Sequence, residues 1–315
     1  MGRFRAVVSR SLPLPGRGRT AERFAALYQI GCDDLELARL AEAHFDATAI
    51  AAEAGRDLVR GSLYGVWAAS GPDPLTITVD GDNGAVRLNG TVPWCTGVGI
   101  VDRALVTARS SVADGDGLLV DVAVKDGEIV DADRQWLSPA FASTQTATMF
   151  FDTTVERSDI IGRPGSYLSR PGFWHGAIGV SACWAGGMQG LYDTHVARWS
   201  RRDEHSCAHL AAAFAAVQGM QALLRQAALD IDAAPRDLVG AEVRARSVRH
   251  VIERLCTSAM DELAVGAGPE PLAFDAGIIA RTQQLQLYIR QCHGERDLAP
   301  LGRRLLTERV EHRRP

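Results

Sequence analysis

The chain has 315 residues, 34 basic and 38 acidic side chains, a net charge of −4 and a hydrophobic share of 46%. That balance allows a buried core in two or three lobes and excludes the broad basic surface that binds nucleic acid. Lys125 is the sole lysine, so positive charge rests on arginine, which is permanently ionised and suits phosphate ligands.

The basic opening MGRFRAVVSRSLPLPGRGRT has no apolar core and does not read as a signal peptide. Residues 1–19 are rich in Arg, Pro and Gly and are expected to form a flexible tail. From Thr20 to about Leu63, apolar residues at helical spacing predict two or three helices, with Leu35, Leu37, Leu40, Ala41, Phe45 and Ile50 on one face. Asp33 and Asp34 are candidate N-caps there, and Gly55 is a candidate stop. The texture changes near Gly65. Alternating β-formers with the turn pairs Asp80-Gly81 and Asn83-Gly84 predict an antiparallel β domain over 64–165. Four helices are then expected, over about 173–199, 207–232, 237–264 and 272–292, separated by Pro235 and by Pro269 and Pro271. The apolar run Phe173–Leu191 contains His175 and five glycines, which favours a buried helix over a membrane span. Helices and strands in separate blocks point to an α+β multidomain chain, not a Rossmann alternation.

The six cysteines, Cys32, Cys95, Cys183, Cys207, Cys256 and Cys292, include no Cys-x-x-Cys pair. They read as free thiols in a reducing compartment, so a cytoplasmic protein is expected. His205-x-Cys207-x-His209 puts two imidazoles at i and i+4, but no zinc signature supplies further ligands. His250 and Glu253 read as an i,i+3 surface pair. Hydrolase elbow, Walker A and dinucleotide signatures are absent from the sequence.

Three segments carry a family likeness. Val86–Ala108, VRLNGTVPWCTGVGIVDRALVTA, has an Asn-Gly turn at Asn89 and Gly90, then Trp94-x-Thr96, then Asp102 before a Val-containing strand. Phe150–Gly165, FFDTTVERSDIIGRPG, ends in Gly-x-x-Gly, and Phe173–Leu191 is rich in small residues. In this order they resemble the acyl-CoA dehydrogenase family over about residues 35–306. The resemblance implies a truncated N-terminal helical lobe (20–63), an antiparallel β-barrel-like middle domain (64–165) and a C-terminal four-helix bundle (166–309).

It also implies an FAD-dependent oxidoreductase acting on an acyl thioester or related carbonyl substrate. Trp94 would pack on the isoalloxazine, with Cys95 beside it, and the Thr96 hydroxyl and nearby backbone N–H would bond its N5/O4 edge. Trp67 and Ser70, in LYGVWAASGP, would line the flavin or substrate, although that loop lacks the family's acidic and Ser-Asp positions. Arg202 matches an arginine that reaches the FAD pyrophosphate of a neighbouring subunit, which implies a homo-oligomer, dimer or tetramer. An electron-acceptor flavoprotein is a further expected partner; nucleic acid and a membrane are not.

The family's catalytic glutamate is missing. Aligning its glycine on Gly294 puts His293 at the base position, and the alternative position on the first helix of the last domain holds His175. An imidazole titrating near neutrality suits acid/base work, so His293 and His175 are the candidate catalytic residues. Histidine there also fits a flavin monooxygenase of the same fold, or a catalytically retired homologue that binds or assembles. The alternative for each histidine is a helix-end cap or a packed side chain. Glu295 is a displaced candidate base or a charged helix end.

Overall fold

The computed structural model describes residues 2–69, 71–79, 86–110, 117–130 and 136–311, which leaves Ser70 and both expected turn pairs outside the described residues. By contact it divides into two units: Met1–Leu12 with Arg39–Phe173, and Pro13–Ala38 with Trp174–Pro315. The chain thus leaves the second unit at residue 38 and rejoins it at residue 174. The helices expected as one lobe over 20–63 are divided between these units. Helix α2 (Thr20–Asp33) belongs to the second, and most of α3 (Leu35–Glu53) to the first.

The first unit is built on one mixed sheet. Its strands are β1 (Tyr64–Trp67), β2 (Thr76–Val79), β3 (Val86–Cys95), β4 (Arg103–Ser110), β5 (Gly117–Ala123), β6 (Gly127–Val130), β7 (Ala147–Val155) and β8 (Ile160–Ile161). They run in the order β6-β7-β3-β2-β4-β5-β8, with β1 also on β4. Most pairs are antiparallel, as the alternation predicts, but β1 and β2 both lie parallel to β4. Two reversals explain this for β2: β3 doubles back on it, and the turn at Gly97–Val101 reverses the chain again into β4. Alternation on β3 buries Val86, Leu88 and Val92 and exposes Arg87 and Asn89. Gly90 sits at φ 128°, where a Cβ would meet the Pro74 carbonyl at 2.7 Å, so no other residue fits that crossing.

Helix α3 covers the sheet. Ala47 and Ile50 pack with Tyr64, Leu105, Leu119 and Ile161 in one apolar cluster. Of the expected caps, Asp34 and Gly55 are in place and Asp33 instead ends α2: the Asp34 carboxylate accepts from Leu37 N–H at 3.0 Å, and Gly55 follows the helix at φ 66°. Beside this core lies a buried polar network. The Tyr64 hydroxyl donates to Asp121 Oδ2 at 2.9 Å and accepts from Val59 N–H at 2.9 Å. Arg103 Nε donates to Asp121 Oδ1 at 2.7 Å. Each member satisfies another, which is what lets a carboxylate and a guanidinium sit within a sheet. The start of the chain, expected to be a flexible tail, carries helix α1 (Gly2–Val8), anchored by buried Phe4 and by Arg5 on the Gly61 carbonyl at 3.1 Å and on Asp102 at 3.3 Å.

The second unit holds α2, most of α4 (Pro171–Arg198), α5 (Glu204–Ala233), α6 (Leu238–Ala267), α7 (Pro269–Phe274), α8 (Ala276–Tyr288) and α9 (Glu295–Glu311). Helices α4, α5, α6 and α8 answer to the four expected ones. The last was expected to run over 272–292 unbroken. It breaks at Asp275, whose carboxylate accepts from Gly277 N–H at 2.9 Å and Ile278 N–H at 3.0 Å and starts α8 as a new helix. Helix α9 extends the chain beyond the expected bundle.

Small residues let α2 and α4 touch backbone to backbone. A Cβ on Gly186 would lie 1.9 Å from the Tyr28 carbonyl, and one on Gly31 would lie 2.4 Å from the Cys183 carbonyl. The start of α2 is closed from a distance. The Asp232 carboxylate accepts from Gly18 N–H, Thr20 N–H and the Thr20 hydroxyl at 3.0, 3.0 and 2.6 Å. The expected His250–Glu253 surface pair is replaced: Glu253 is buried, bonds Thr257 at 3.2 Å and pairs with Arg290.

Burial pushes the Tyr64 phenol up to about 12 from a usual value of 10.0. A raised folded-state value means the stabilisation is complete below pH 10 and is lost as pH climbs toward 12. Tyr64→Phe is therefore expected to cost about 1–3 kcal/mol at neutral pH, by removing the hydroxyl partner of Asp121 Oδ2 and of the Val59 N–H. It should also flatten the parent's loss of stability over that alkaline range. Urea unfolding at stepped pH reads both; an equally steep alkaline limb in the variant would remove Tyr64 as its source.

Candidate functional site

The strongest candidate site lies where β3 ends. The pairing of β3 with β7 slips between Val92 and Cys95, a bulge. Within it Trp94 adopts φ 61° and turns outward, 56% exposed. A left-handed tryptophan costs about 1–3 kcal/mol and persists only where its surroundings impose it. Two other non-glycine residues among those described are left-handed, Phe141 (φ 59°) and Gln145 (φ 50°), at either end of the turn Ala142–Thr144. All three strained residues belong to the same place. Gly97 N–H donates to the Thr144 carbonyl at 2.7 Å and Val98 N–H to the Gln145 carbonyl at 3.2 Å, binding the two segments together. The Gln145 amide lies over Gly99, where a Cβ would stand 1.8 Å from its oxygen.

Two tryptophans frame the site. Trp67 on β1 is buried and donates its Nε1–H to the Thr96 carbonyl at 3.0 Å. Trp136 meets Trp94 edge-on, with ring centroids 6.2 Å apart and planes at 89°, and its own Nε1–H is held by the Ala140 carbonyl at 2.9 Å. Between them run three hydroxyls. Thr144 donates to the Phe141 carbonyl at 2.8 Å and Thr146 donates to Thr96 at 3.1 Å. Among the described residues nothing accepts the Thr96 hydroxyl proton. The site therefore presents an exposed aromatic face, a hydroxyl with a proton to give, and a rigid frame beneath.

The sequence-predicted residues fall into two groups. Trp67, Trp94, Cys95 and Thr96 stand together in the first unit. Cys95 turns inward: it is buried, its thiol is directed at the Val92 carbonyl at 3.1 Å, and burial pushes its ionisation well up. The alternation that exposes Trp94 requires this, so only the Cys95 backbone faces outward. His175, Arg202, His293 and Gly294 stand in the second unit. His175 is buried at 2% exposure in the first turns of α4. The His293 side chain is 59% exposed on the turn before α9, where Gly294 has φ 55°.

That turn is well braced. Asp297 accepts from His293 N–H at 2.9 Å, and its other carboxylate oxygen lies 3.5 Å from the imidazole Nδ1. From α6, Arg246 holds the Asp297 carbonyl at 2.6 Å and Arg249 holds the Gln291 carbonyl at 2.9 Å. Arg249 also bonds the Ala177 carbonyl at 2.8 Å, so one guanidinium ties the helix of His175 to the turn of His293. Arg202 spends its Nη1 on the Trp199 and Arg201 carbonyls at 2.6 and 3.0 Å, closing the end of α4.

Trp136, Phe141, Thr144, Gln145 and Thr146 were not singled out from the sequence. The signal available there is a run of hydroxyl residues, SPAFASTQTAT, with no glycine to supply its tight turns. Two wider clefts of the first unit, of about 670 Å³ around Arg103, Glu156 and Arg157 and about 500 Å³ around Arg5, Arg56 and Arg60, are lined by neither Trp94 nor Thr96.

Trp94→Gly is expected to stay within about 1 kcal/mol of the parent in stability. Relief of the left-handed backbone, about 1–3 kcal/mol, offsets the lost edge contact of about 0.5–1.5 kcal/mol and the unfolded-state entropy that glycine adds, about 0.4–1 kcal/mol. Trp94→Ala loses the contact and keeps the strain, so it should melt below the glycine variant. The reverse order in thermal melts would rule out strain at this position.

No family model matches the chain, and no curated protein matches it. Solved structures do. The complex of TdsC from Paenibacillus sp. A11-2 with FMN and indole is 19% identical with a TM-score of 0.79, over 94% of this chain and 84% of that one. A nitrososynthase from Micromonospora carbonacea var. africana is 16% identical with a TM-score of 0.72, over 91% and 83%. The 3-HSA hydroxylase from Rhodococcus sp. RHA1 is 17% identical with a TM-score of 0.71, over 88% and 80%. The chain has their architecture: N-terminal helices, a middle β-sheet domain and C-terminal helices in the acyl-CoA dehydrogenase-like fold.

Proposed function

We propose that this chain is a flavin-dependent oxidoreductase, and that its reaction is monooxygenation of a small organic substrate. The observation that carries the reading is the exposed Trp94 ring beside a Thr96 hydroxyl whose proton no described residue accepts, on a frame that holds strain at three positions. A flat aromatic heterocycle with acceptor atoms along one edge fits that pair: the ring stacks and the hydroxyl donates. Gly97 and Val98, which follow Thr96, have their N–H groups engaged by Thr144 and Gln145. The Thr96 side chain is a donor that stays available beside them.

When bound, a flavin supplies the electron transfer and oxygen chemistry that side chains lack. The protein's part is to hold its ring, give a hydrogen bond where negative charge gathers on reduction, and move a proton. His293, exposed and paired with Asp297, is proposed as the acid/base, because an accessible imidazole held by a carboxylate can take up or release a proton at its free ring nitrogen. Buried His175 is proposed as support for that region, through the Arg249 tie. Arg202 remains a proposed phosphate contact through its nitrogens other than Nη1.

Monooxygenation is favoured over acyl-thioester oxidation by two facts. Neither expected base position carries a carboxylate. The structural neighbours include a dibenzothiophene monooxygenase and a hydroxylase. FAD is expected from the family resemblance, and FMN is bound in two of the TdsC structures; both flavins would present the same ring to Trp94.

Visible spectra of the purified protein titrated with FMN and with FAD test the reading. Perturbed flavin bands are expected with the parent, with weaker uptake by Trp94→Ala. His293→Ala should bind flavin normally and lose at least tenfold in turnover with oxygen and an aromatic substrate. A chain that takes up neither flavin overturns the oxidoreductase. Flavin bleached anaerobically by acyl-CoAs, with electrons then passing to an acceptor flavoprotein, establishes the dehydrogenase instead.

The protein is further proposed to be a cytoplasmic homo-oligomer, a dimer or tetramer. Helix α5 is long and apolar enough to cross a membrane, yet only 22% of its most apolar stretch is buried within this chain. Its open face carries Ala208, Ala211, Ala212, Phe214 and Ala215. A second copy covers such a face without lipid. Light scattering should show a dimer or larger, and Phe214→Glu should shift it toward monomer. A parent that stays monomeric and soluble at micromolar concentration would remove this part of the proposal.

A further inference from the structure

The hydrogen-bond order in the strained turn assigns a role to a residue outside the ring-binding pair. Each threonine hydroxyl has one proton. Thr144 gives its proton to the Phe141 carbonyl at 2.8 Å. Thr146 lies 3.1 Å from Thr96 and 3.5 Å from Thr144, and donates to the nearer oxygen. Thr96 therefore receives a proton from below, and its own must point away from Thr146. Its backbone is fixed as well, by Trp67 on the Thr96 carbonyl and by the Gly97–Thr144 hydrogen bond.

We propose that Thr146 is the positioning residue of this site: by donating to Thr96 it commits the Thr96 hydroxyl to act as an outward donor toward the bound ring. The inference rests on the flavin reading above. Without Thr146, the Thr96 hydroxyl is free to rotate, and its proton can turn away from the ring toward water. With Thr146, rotation costs a hydrogen bond, and the donor is in place before the ligand arrives. Donors fixed in advance stabilise developing charge better than donors that must reorient. The left-handed Gln145 immediately before Thr146 then has a purpose: it turns the chain where the 146 hydroxyl reaches Thr96.

The test measures the midpoint potential of the bound flavin by dye equilibration, together with its absorption bands, in the full-length protein. Thr96→Val is expected to move the potential more negative, because the reduced and more negative ring loses a donor. Thr146→Val should move it in the same direction by a smaller amount, and Thr146→Ser should restore the parent value. The Thr96→Val/Thr146→Val double variant should match Thr96→Val alone, since Thr146 acts only through Thr96. Thermal melts of each variant separate these effects from misfolding, and valine keeps the volume of threonine. A flavin potential unmoved by Thr146→Val, or effects that add in the double variant, overturns the inference alone. Failure of the unaltered chain to take up flavin overturns the inference together with the function.

Discussion

The candidate site depends on one short backbone contact, the hydrogen bond from Gly97 N–H to the Thr144 carbonyl at 2.7 Å. It joins two segments about fifty residues apart and leaves the chain between them to find a path. Trp94, Phe141 and Gln145 all take left-handed backbones to meet that demand. None is glycine, so strain of about 1–3 kcal/mol at each is carried by the sheet around it. The sheet bears this because β3 and β7 are paired along most of their lengths, while α3 packs on the neighbouring strands β1, β4 and β5. Exposed tryptophan, donor hydroxyl and rigid turn are consequences of that single closure.

The second unit solves a different problem with the same economy. Its long helices are tied to one another and to the His293 turn by arginines from α6 that bond backbone carbonyls. Arg249 spans the Ala177 and Gln291 carbonyls while stacking over Trp184 at 4.6 Å. Arg246 holds Asp297 and lies 4.9 Å from the Trp174 ring. Planar guanidinium groups do both jobs at once, bonding in their plane and stacking across it. A chain with one lysine and many arginines is well equipped for that, and the His293 turn owes its shape to it.

Much of this was legible in the residues. Apolar spacing marked α4, α5 and α6, and Asp34 and Gly55 marked the ends of α3, because caps and periodicity are local. Trp94 and Thr96 stood out by their place after the Asn89-Gly90 pair, which reads as a turn but lies within β3, where Gly90 meets the Pro74 carbonyl. What escaped was non-local. Thr146 reaches Thr96 from fifty residues away. Glu253 found Arg290 thirty-seven residues on instead of its helical neighbour His250. The Asp275 cap sits inside a run that reads as continuous helix. Cys95 reads as a site residue by adjacency to Trp94, yet strand alternation sends the two side chains to opposite faces. The parallel pairings of β1 and β2 with β4 depend on how loops reverse, which composition does not encode.

The closure of α2 by Asp232 sets an order on the birth of the molecule. The carboxylate that completes the start of that helix lies 212 residues downstream of Thr20. At a ribosome speed of about 5–20 residues per second, the wait is roughly 10–40 seconds. During it, the residues of the first unit emerge in full, whereas Pro13–Ala38, with the apolar faces and glycines meant for α4, stay without their partners. The nascent chain is thus most exposed at its beginning, and a holdase that shields those first helices until α5 emerges would govern how much protein survives synthesis.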